Sequence, residues 1–200
     1  DISNGMTAGT EYNTSGKYGT VKSLEDATAH VLAELDTPEE PVTIAGVTYK
    51  QFVQASTAAN ADGAIPGNGT ATFVFSPKVD CSVTLHSRAT GKVWHFLESP
   101  DGANVTNRAT DTMVADVMTF NLKAGKTYYY YCQGSKPMVY GIYFDAPVAE
   151  ADSLLKESTA TEAPSTPSQS AEAKSVKLSW TAVENDTDVF YGVDTYVDGV

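Results

Sequence analysis

The stretch Tyr128-Tyr129-Tyr130-Tyr131-Cys132 decides the fold that this sequence predicts. Four consecutive tyrosines are typical of a β-strand, because aromatic side chains pack well on a pleated surface. The run lies within a strand predicted over residues 126–133, between the turn residues Lys123-Ala124-Gly125 and Gly134-Ser135. A short strand between two tight turns indicates an antiparallel sheet.

Further strands are predicted on both sides of the tyrosine run. Apolar residues recur with a period of two from Val42 to Asp145, which is the period of a half-buried strand. Short strands without intervening helices favour an antiparallel β-sandwich of the jelly-roll or immunoglobulin-like kind, and we predict one over residues 42–147. Its predicted strands are residues 42–53 (two strands bent at Gly46), 71–75, 79–87, 92–97, 114–122, 126–133 and 138–145.

The flanks of the sandwich have a different composition. Residues 1–41 are expected to be irregular, except for one short N-terminal helix over residues 23–35. A capping box at Ser23–Asp26 and apolar residues at helical spacing predict that helix. Residues 148–173, rich in Ala, Ser, Thr, Glu and Pro, are typical of a linker. Residues 174–200 begin with an alternating strand and are expected to be part of a further domain.

Two alternatives are open for the two cysteines, Cys81 and Cys132, each of which lies in a predicted strand. Oxidised, they would form one disulfide, which fits an exported protein. Reduced, they would be two small residues of the hydrophobic core, a frequent role of free cysteine.

Alternation along the strands assigns each tyrosine to a face of its sheet. If Cys132 faces the core, Tyr128 and Tyr130 point inward with it. Tyr129 and Tyr131, which alternate with them, then point outward. Pairing of residues 126–133 with residues 138–145 would add one more outward tyrosine and two lysines to the same surface. The predicted ligand-binding residues are therefore Tyr129, Tyr131, Tyr143, Lys126 and Lys136.

Exposed tyrosine rings beside lysines have the chemistry of a sugar-binding surface. The C–H faces of a sugar stack on aromatic rings, and its hydroxyls or carboxylates hydrogen-bond to polar side chains. The alternative is a packing role, because tyrosine in a sandwich strand is often half-buried.

Charge and motifs argue against several other functions. The formal net charge of −12 disfavours nucleic acid as a partner, because phosphate binding depends on a cationic surface. No apolar run is long enough to predict insertion into a membrane. The sequence has no Gly-x-Ser-x-Gly elbow, P-loop, His-Glu-x-x-His or Cys-x-x-Cys motif, so we predict no catalytic residues and expect a binding protein instead of an enzyme.

The sequence also contains residues that could form a metal site, as alternatives to a protein without metal. His86 and His95 with Asp80 would hold a metal ion if their strands pair. Calcium is an alternative at residues 101–104, or at Asp186 and Asp188. The acids of the sandwich otherwise fall mostly at turns, where capping is their usual role. We therefore predict no metal and no cofactor, with calcium as the alternative.

Residues 122–142 (LKAGKTYYYYCQGSKPMVYGI), together with 43–54 (TIAGVTYKQFVQ) and 63–66 (GAIP), resemble a β-sandwich module. Such modules accompany pectate lyases and related plant-cell-wall enzymes of anaerobic gut bacteria, and the stretch is similar to their pectin-binding carbohydrate-binding modules. The resemblance covers residues 42–147. Residues 175–180 (SVKLSW) and 195–199 (TYVDG) resemble parts of a fibronectin type III domain.

The resemblance implies a non-catalytic module that targets a secreted, multimodular protein to pectin (homogalacturonan). Lysines on a shallow sheet surface bind the polysaccharide in that family, and Lys136 in its Gly-Ser-Lys-Pro turn is the position here that matches. The resemblance also implies an extracellular or cell-surface location. A starch-binding module of a gut bacterial surface complex, which relies on aromatics, is one alternative; a structural spacer, or an accessory lobe of an enzyme, is another.

Overall fold

The computed structural model describes residues 2–114, 116–157, 168–172 and 175–179. The chain divides into two units, Asp1–Lys156 and Glu157–Val200. The first unit is mainly β, with two antiparallel sheets of five strands that pack against each other. This arrangement confirms the predicted β-sandwich.

Strands of both sheets come from the whole length of the first unit. The bounds are β1 Gly19–Ser23, β2 Ala27–Val31, β3 Val42–Ile44, β4 Val47–Tyr49, β5 Gln51–Ala55, β6 Phe73–Pro77, β7 Cys81–Arg88, β8 Val93–Ser99, β9 Asn107–Thr112, β10 Val117–Leu122, β11 Thr127–Cys132 and β12 Met138–Asp145, with 3-10 turns at Leu32–Glu34 and Glu150–Asp152. Sheet A has the strand order β10-β7-β12-β5-β2, and sheet B has the order β1-β6-β11-β8-β9. A separate hairpin, β3-β4, lies between β2 and β5 in the chain.

The core lies between the facing surfaces of the two sheets. Phe96 of β8 stacks on Phe120 of β10, with 3.8 Å between ring centroids, so the two sheets are in direct contact across the core. Tyr128 and Tyr130 are fully buried in the same cluster, which confirms the inward face predicted for them. Their hydroxyls are satisfied there, since that of Tyr130 bonds to Ser87 Oγ at 2.9 Å and that of Tyr128 donates to a carboxylate oxygen of Glu98 at 2.9 Å.

The helix predicted over residues 23–35 is wrong. The segment contains the end of β1, the strand β2 and the 3-10 turn Leu32–Glu34. β2 pairs with β5 in sheet A, and this pairing overrides the weak helical spacing of the apolar residues. The side chain of Asp26 also does not close a capping box with Ser23, because its carboxylate accepts a hydrogen bond from the Ala8 amide at 2.7 Å.

The pairing of β11 with β12, on which the shared surface of tyrosines and lysines depended, does not occur. β11 lies between β6 and β8 at the centre of sheet B, whereas β12 lies in sheet A, so residues 133–137 cross from one sheet to the other. The register of β12 against β7 shifts between Val139 and Gly141. This bulge turns Val139 into the main core and Tyr140 out of it, the reverse of what strict alternation predicts for these two residues. Ile142 and Phe144 pack on the core and Tyr143 is exposed, as alternation predicts.

Residues 148–156 were expected to begin a linker but pack against the sandwich. Leu155 is buried in the main core, and Ser153 is buried beside it. The backbone amide of Leu154 donates to the Thr119 carbonyl at 2.8 Å, so this segment covers the outer edge of β10. In the second unit, β13 Ser168–Glu172 pairs antiparallel with β14 Ser175–Ser179. The predicted linker residues 158–167, and the fibronectin-like features at Trp180 and at residues 195–199, lie outside the described residues.

Cys81 and Cys132 are both free and both buried, so the disulfide alternative is wrong. The Tyr130 hydroxyl lies 3.9 Å from Cys132 Sγ and also contacts Ser87, which is six residues along β7 from Cys81. At about 3.3 Å per residue, the two sulfurs are near opposite ends of the core. Burial raises the pKa of the Cys81 thiol to about 11 and that of Cys132 to about 12.

We predict that neither thiol reacts with a thiol reagent such as DTNB at pH 8 while the protein is folded. Both thiols are buried and their raised pKa values keep them protonated, and the thiolate is the reactive form. The measurement is a count of reactive thiols without and with guanidinium chloride, under non-reducing conditions. Two equivalents after unfolding are expected; none after unfolding would mean that a disulfide is present.

Candidate functional site

Tyr131 was expected to face solvent but is fully buried. Its hydroxyl accepts a hydrogen bond from the Gly63 amide at 2.9 Å and donates to the Ala64 carbonyl at 3.1 Å. Its ring stacks on His95 at 4.9 Å between centroids. The loop between β5 and β6 therefore covers this part of the outer face of sheet B, and the prediction of Tyr131 as a ligand contact is wrong.

Tyr129 lies on the same outer face and is only 8% exposed. It packs in a small apolar cluster with Val74 and Leu97, under the covering loop. It is thus not the exposed platform that strand alternation predicted. Its ring edge borders a groove between the loop and the sheet.

The two predicted lysines do not share a surface with these tyrosines. Lys126 Nζ lies 2.5 Å from Oε1 of Glu98, a carboxylate that is nearly buried and also accepts hydrogen bonds from Tyr128 and Thr106. Lys126 therefore compensates an internal charge. Lys136 is exposed in the connection between the sheets, where its carbonyl accepts a hydrogen bond from Gln54 at 2.8 Å.

Tyr143 is the predicted ligand tyrosine that the structure leaves exposed, at 43%. It lies on sheet A, so it does not share a face with Tyr129 or Tyr131. Its hydroxyl hydrogen-bonds to that of Tyr49, and the Tyr49 hydroxyl is 2.7 Å from His86 Nδ1. Burial lowers the pKa of His86, and the charge of Asp116 partly opposes this shift. The lowered pKa favours the neutral imidazole, which can accept the hydrogen bond from Tyr49.

The absence of a side chain at Gly141 allows the Tyr143 ring to lie beside the Tyr49 hydroxyl. A Cβ at residue 141 would lie 2.7 Å from Cε2 of Tyr143 and 2.8 Å from the Tyr49 hydroxyl. Only glycine leaves room for both rings above the strand. The hydrogen bonds and this close approach hold Tyr143 in one orientation.

Tyr143 borders a cleft of about 560 Å3 at one side of the sandwich, which we call the edge cleft. One wall is the second half of β12, and the other wall comes from β1 and the segment that precedes it. The lining residues are Ile2, Tyr12, Asn13, Gly16, Lys17, Tyr18, Val21, Gly141, Ile142, Tyr143 and Phe144.

The edge cleft exists because the neighbour of β12 in sheet A is short. Within the described residues, β5 meets β12 at Val139 only, whereas β7 pairs with β12 along Met138–Asp145. Residues 141–145 thus have no strand on their other side. In an antiparallel strand every second residue directs its backbone N–H and C=O to each side, so polar backbone groups border the cleft.

Side chains of the N-terminal segment form the opposite wall. The Tyr12 hydroxyl accepts a hydrogen bond from the Thr7 amide at 2.8 Å, and the Lys17 ammonium lies 4.9 Å from the centre of the Tyr18 ring. Asn13 has a left-handed backbone (φ 62°) and its amide donates to the Gly19 carbonyl at 2.8 Å. Tyr12 and Tyr18 both pack on the core and border the cleft.

Sequence reasoning missed these N-terminal residues. Residues 1–41 were predicted to be irregular apart from one helix, which is wrong for β1 and β2, since both belong to the sandwich. The described residues before β1 contain no strand, and their tyrosines fold back on the sheet edge. Two tyrosines beside Asn13 and Lys17 in a Gly- and Thr-rich loop are a signal that could have been used, because binding residues are often carried by loops on a rigid scaffold.

Two of the metal alternatives fall on described residues and gain no support there, whereas Asp186 and Asp188 lie outside the described residues. His86 is in sheet A and His95 is in sheet B, so their strands do not pair, and that proposed site is wrong. The carboxylate of Asp101 accepts hydrogen bonds from the amides of Asn104 and Ala103, both at 2.8 Å, and these bonds lower its pKa. Within the described part of the chain, no group of three His, Cys, Asp or Glu side chains is placed to hold a metal ion.

No family model and no curated protein matches this chain. Among the described residues, no helix has the length and apolar character that crossing a membrane requires.

We predict that Lys126→Met lowers the free energy of unfolding by about 1–2 kcal/mol, because the buried Glu98 carboxylate loses its ionic partner and the lysine is itself partly exposed. Lys136→Met is the matched control and should change it by less than about 0.5 kcal/mol. Urea denaturation of both variants measures the difference. Equal effects would contradict the internal role of Lys126.

Proposed function

We propose that this protein is a non-catalytic carbohydrate-binding module of a secreted, multimodular protein, and that its edge cleft binds an acidic plant polysaccharide, homogalacturonan. The observation that carries the proposal is the convergence of three tyrosine rings, an amide and an ammonium group on one cleft of about 560 Å3. Small-ligand sites typically have volumes of roughly 300–1,000 Å3. The cleft has room for a few sugar units.

The tyrosines supply the apolar part of sugar recognition. Tyr12 and Tyr18 line one wall, and Tyr143 borders the other. A tyrosine ring offers a flat apolar face while its hydroxyl stays polar, which suits a sugar ring with one C–H face and a rim of hydroxyls. The hydrogen bond from the Thr7 amide to Tyr12 and the one between the Tyr143 and Tyr49 hydroxyls limit ring movement, so little conformational entropy is lost on binding.

The charge of the cleft favours an acidic sugar. Among the described residues that line it, Lys17 is the charged one, and none is a carboxylate. A uronate carboxylate near Lys17 would gain a charge-assisted hydrogen bond, which is stronger than a neutral one. This local charge is opposite to the net charge of −12 of the whole chain. Lys17 thus takes the role that the family resemblance implied for Lys136.

A neutral glycan such as starch is the second candidate, and the three tyrosines favour it. Stacking on aromatic rings needs no charge on the sugar. The two candidates differ in the expected contribution of Lys17 and in the effect of salt.

Affinity electrophoresis through gels that contain homogalacturonan, starch or xylan tests the proposal. We expect homogalacturonan to slow the protein, and Tyr143→Ala to weaken binding roughly tenfold, equal to about 1.4 kcal/mol, because the ring contact is lost. Val114→Ala, at a valine that is 89% exposed and outside the cleft, should bind like the wild type. If no polysaccharide slows the protein, the binding proposal is wrong and a spacer role is favoured.

Salt separates the acidic from the neutral ligand. With homogalacturonan, we expect retardation to decrease steeply towards about 1 M salt, where charges are screened beyond about 3 Å. Lys17→Ala should remove most of that salt dependence, whereas Lys136→Ala, at a lysine that is also exposed but lies outside the cleft, should keep it. Retardation by starch that salt does not change would instead support the neutral glycan.

A further inference from the structure

We infer that the sandwich has a second carbohydrate-binding site, on the outer face of sheet B, formed by Tyr129 and four other polar side chains. This inference rests on the proposed function for its ligand class but concerns different residues. The site is a groove of about 400 Å3 between the outer face of sheet B and the loops at residues 65–68 and 102, and we call it the outer groove.

Tyr129 differs from the other tyrosines of its run. The hydroxyls of Tyr128, Tyr130 and Tyr131 each have a hydrogen-bond partner in the protein. The Tyr129 side chain is almost as buried, at 8% exposure, yet its hydroxyl makes no hydrogen bond with any other described residue. Its oxygen is not among the described buried polar atoms that lack a partner, so it reaches solvent at the groove that this residue lines. A ligand in the groove could therefore use both its donor and its acceptor.

Four more polar side chains line the same groove without protein partners. Lys22 of β1, Ser76 of β6 and Thr127 of β11 belong to neighbouring strands of sheet B, and Asn68 belongs to the covering loop. Within the described part of the chain, none of these four side chains makes a hydrogen bond or an ion pair. Strands hold three of them, so the donors and acceptors are positioned before a ligand arrives.

The chemistry of these groups selects a polyhydroxylated ligand. Three hydroxyls and one amide both donate and accept hydrogen bonds, which matches the alternating donors and acceptors of a sugar. The apolar side chains of Leu24, Ile65 and Val74 lie in the same groove and can contact the C–H groups of the sugar ring. Lys22 adds one positive charge, so a uronic acid residue fits the groove as well as a neutral hexose.

The outer groove is separate from the edge cleft. Adjacent residues of β1 serve the two sites: Val21 lines the edge cleft and Lys22 lines the outer groove. Successive side chains of a strand point to opposite faces, so one ligand residue cannot occupy both sites. A module with two sites would bind a polysaccharide more tightly than either site alone, since the second contact becomes intramolecular.

Nuclear magnetic resonance titration of the whole chain with hexagalacturonate, and separately with maltohexaose, tests the inference. We expect two groups of backbone amides to shift with independent saturation curves, one around Lys22, Asn68 and Thr127 and the other around Lys17 and Tyr143. Thr127→Val combined with Tyr129→Phe removes two hydroxyls without changing side-chain shape. This pair should weaken binding at the outer groove about five- to tenfold and leave the edge-cleft curve unchanged.

Thr112→Val, at an exposed threonine on the edge strand β9 of the same sheet, is the matched control and should leave both curves unchanged. If only the edge-cleft amides shift, and the double variant does not change their saturation curve, the outer groove is not a binding site and the proposed function is still supported. Saturation at the outer groove alone would support this inference and reject the edge cleft. Shifts at neither site with either oligosaccharide would overturn both.

Discussion

The structure depends on the burial of both faces of β11. This strand is at the centre of sheet B, and its four tyrosines are covered on one side by sheet A and on the other by the loop between β5 and β6. A buried hydroxyl without a partner is costly, because it loses its hydrogen bonds to water. Much of the surrounding structure therefore supplies partners for the hydroxyls of this run.

Each of these partners fixes another part of the fold. Tyr130 bonds to Ser87 and so ties sheet B to sheet A across the core. Tyr131 bonds to Gly63 and Ala64, and burial raises its pKa to about 12, so the hydroxyl stays protonated and can donate to the loop. Tyr128 bonds to Glu98, whose charge in turn holds Lys126. Residues that sequence patterns assigned to a ligand are used to close the sandwich.

The sequence predicted the sandwich and the inward face of β11 correctly, because alternation along a strand is a local property. It could not show what covers the outer face. The covering loop is polar and rich in glycine, and its contacts with Tyr131 are made by backbone groups that carry no side-chain signal. The wrong prediction of a helix over residues 23–35 has a similar origin. β2 is a strand because it pairs with β5, which is distant in the sequence. The bulge at Tyr140 exchanged the faces of Val139 and Tyr140, although Gly141 inside the strand is a residue type that often marks a bulge.

The same reasoning explains why the candidate sites lie where the fold is incomplete. The edge cleft occurs where β5 ends before β12 does, and the outer groove occurs where the covering loop leaves one tyrosine hydroxyl unmatched. Tyrosines inside the regular strand β11 are buried by packing. In contrast, Tyr143 above Gly141 and the loop tyrosines Tyr12 and Tyr18 have part of their rings at the surface. For a β-sandwich of this kind, the residues to consider first as ligand contacts are therefore those at interruptions of the sheet pattern, not those in its most regular run.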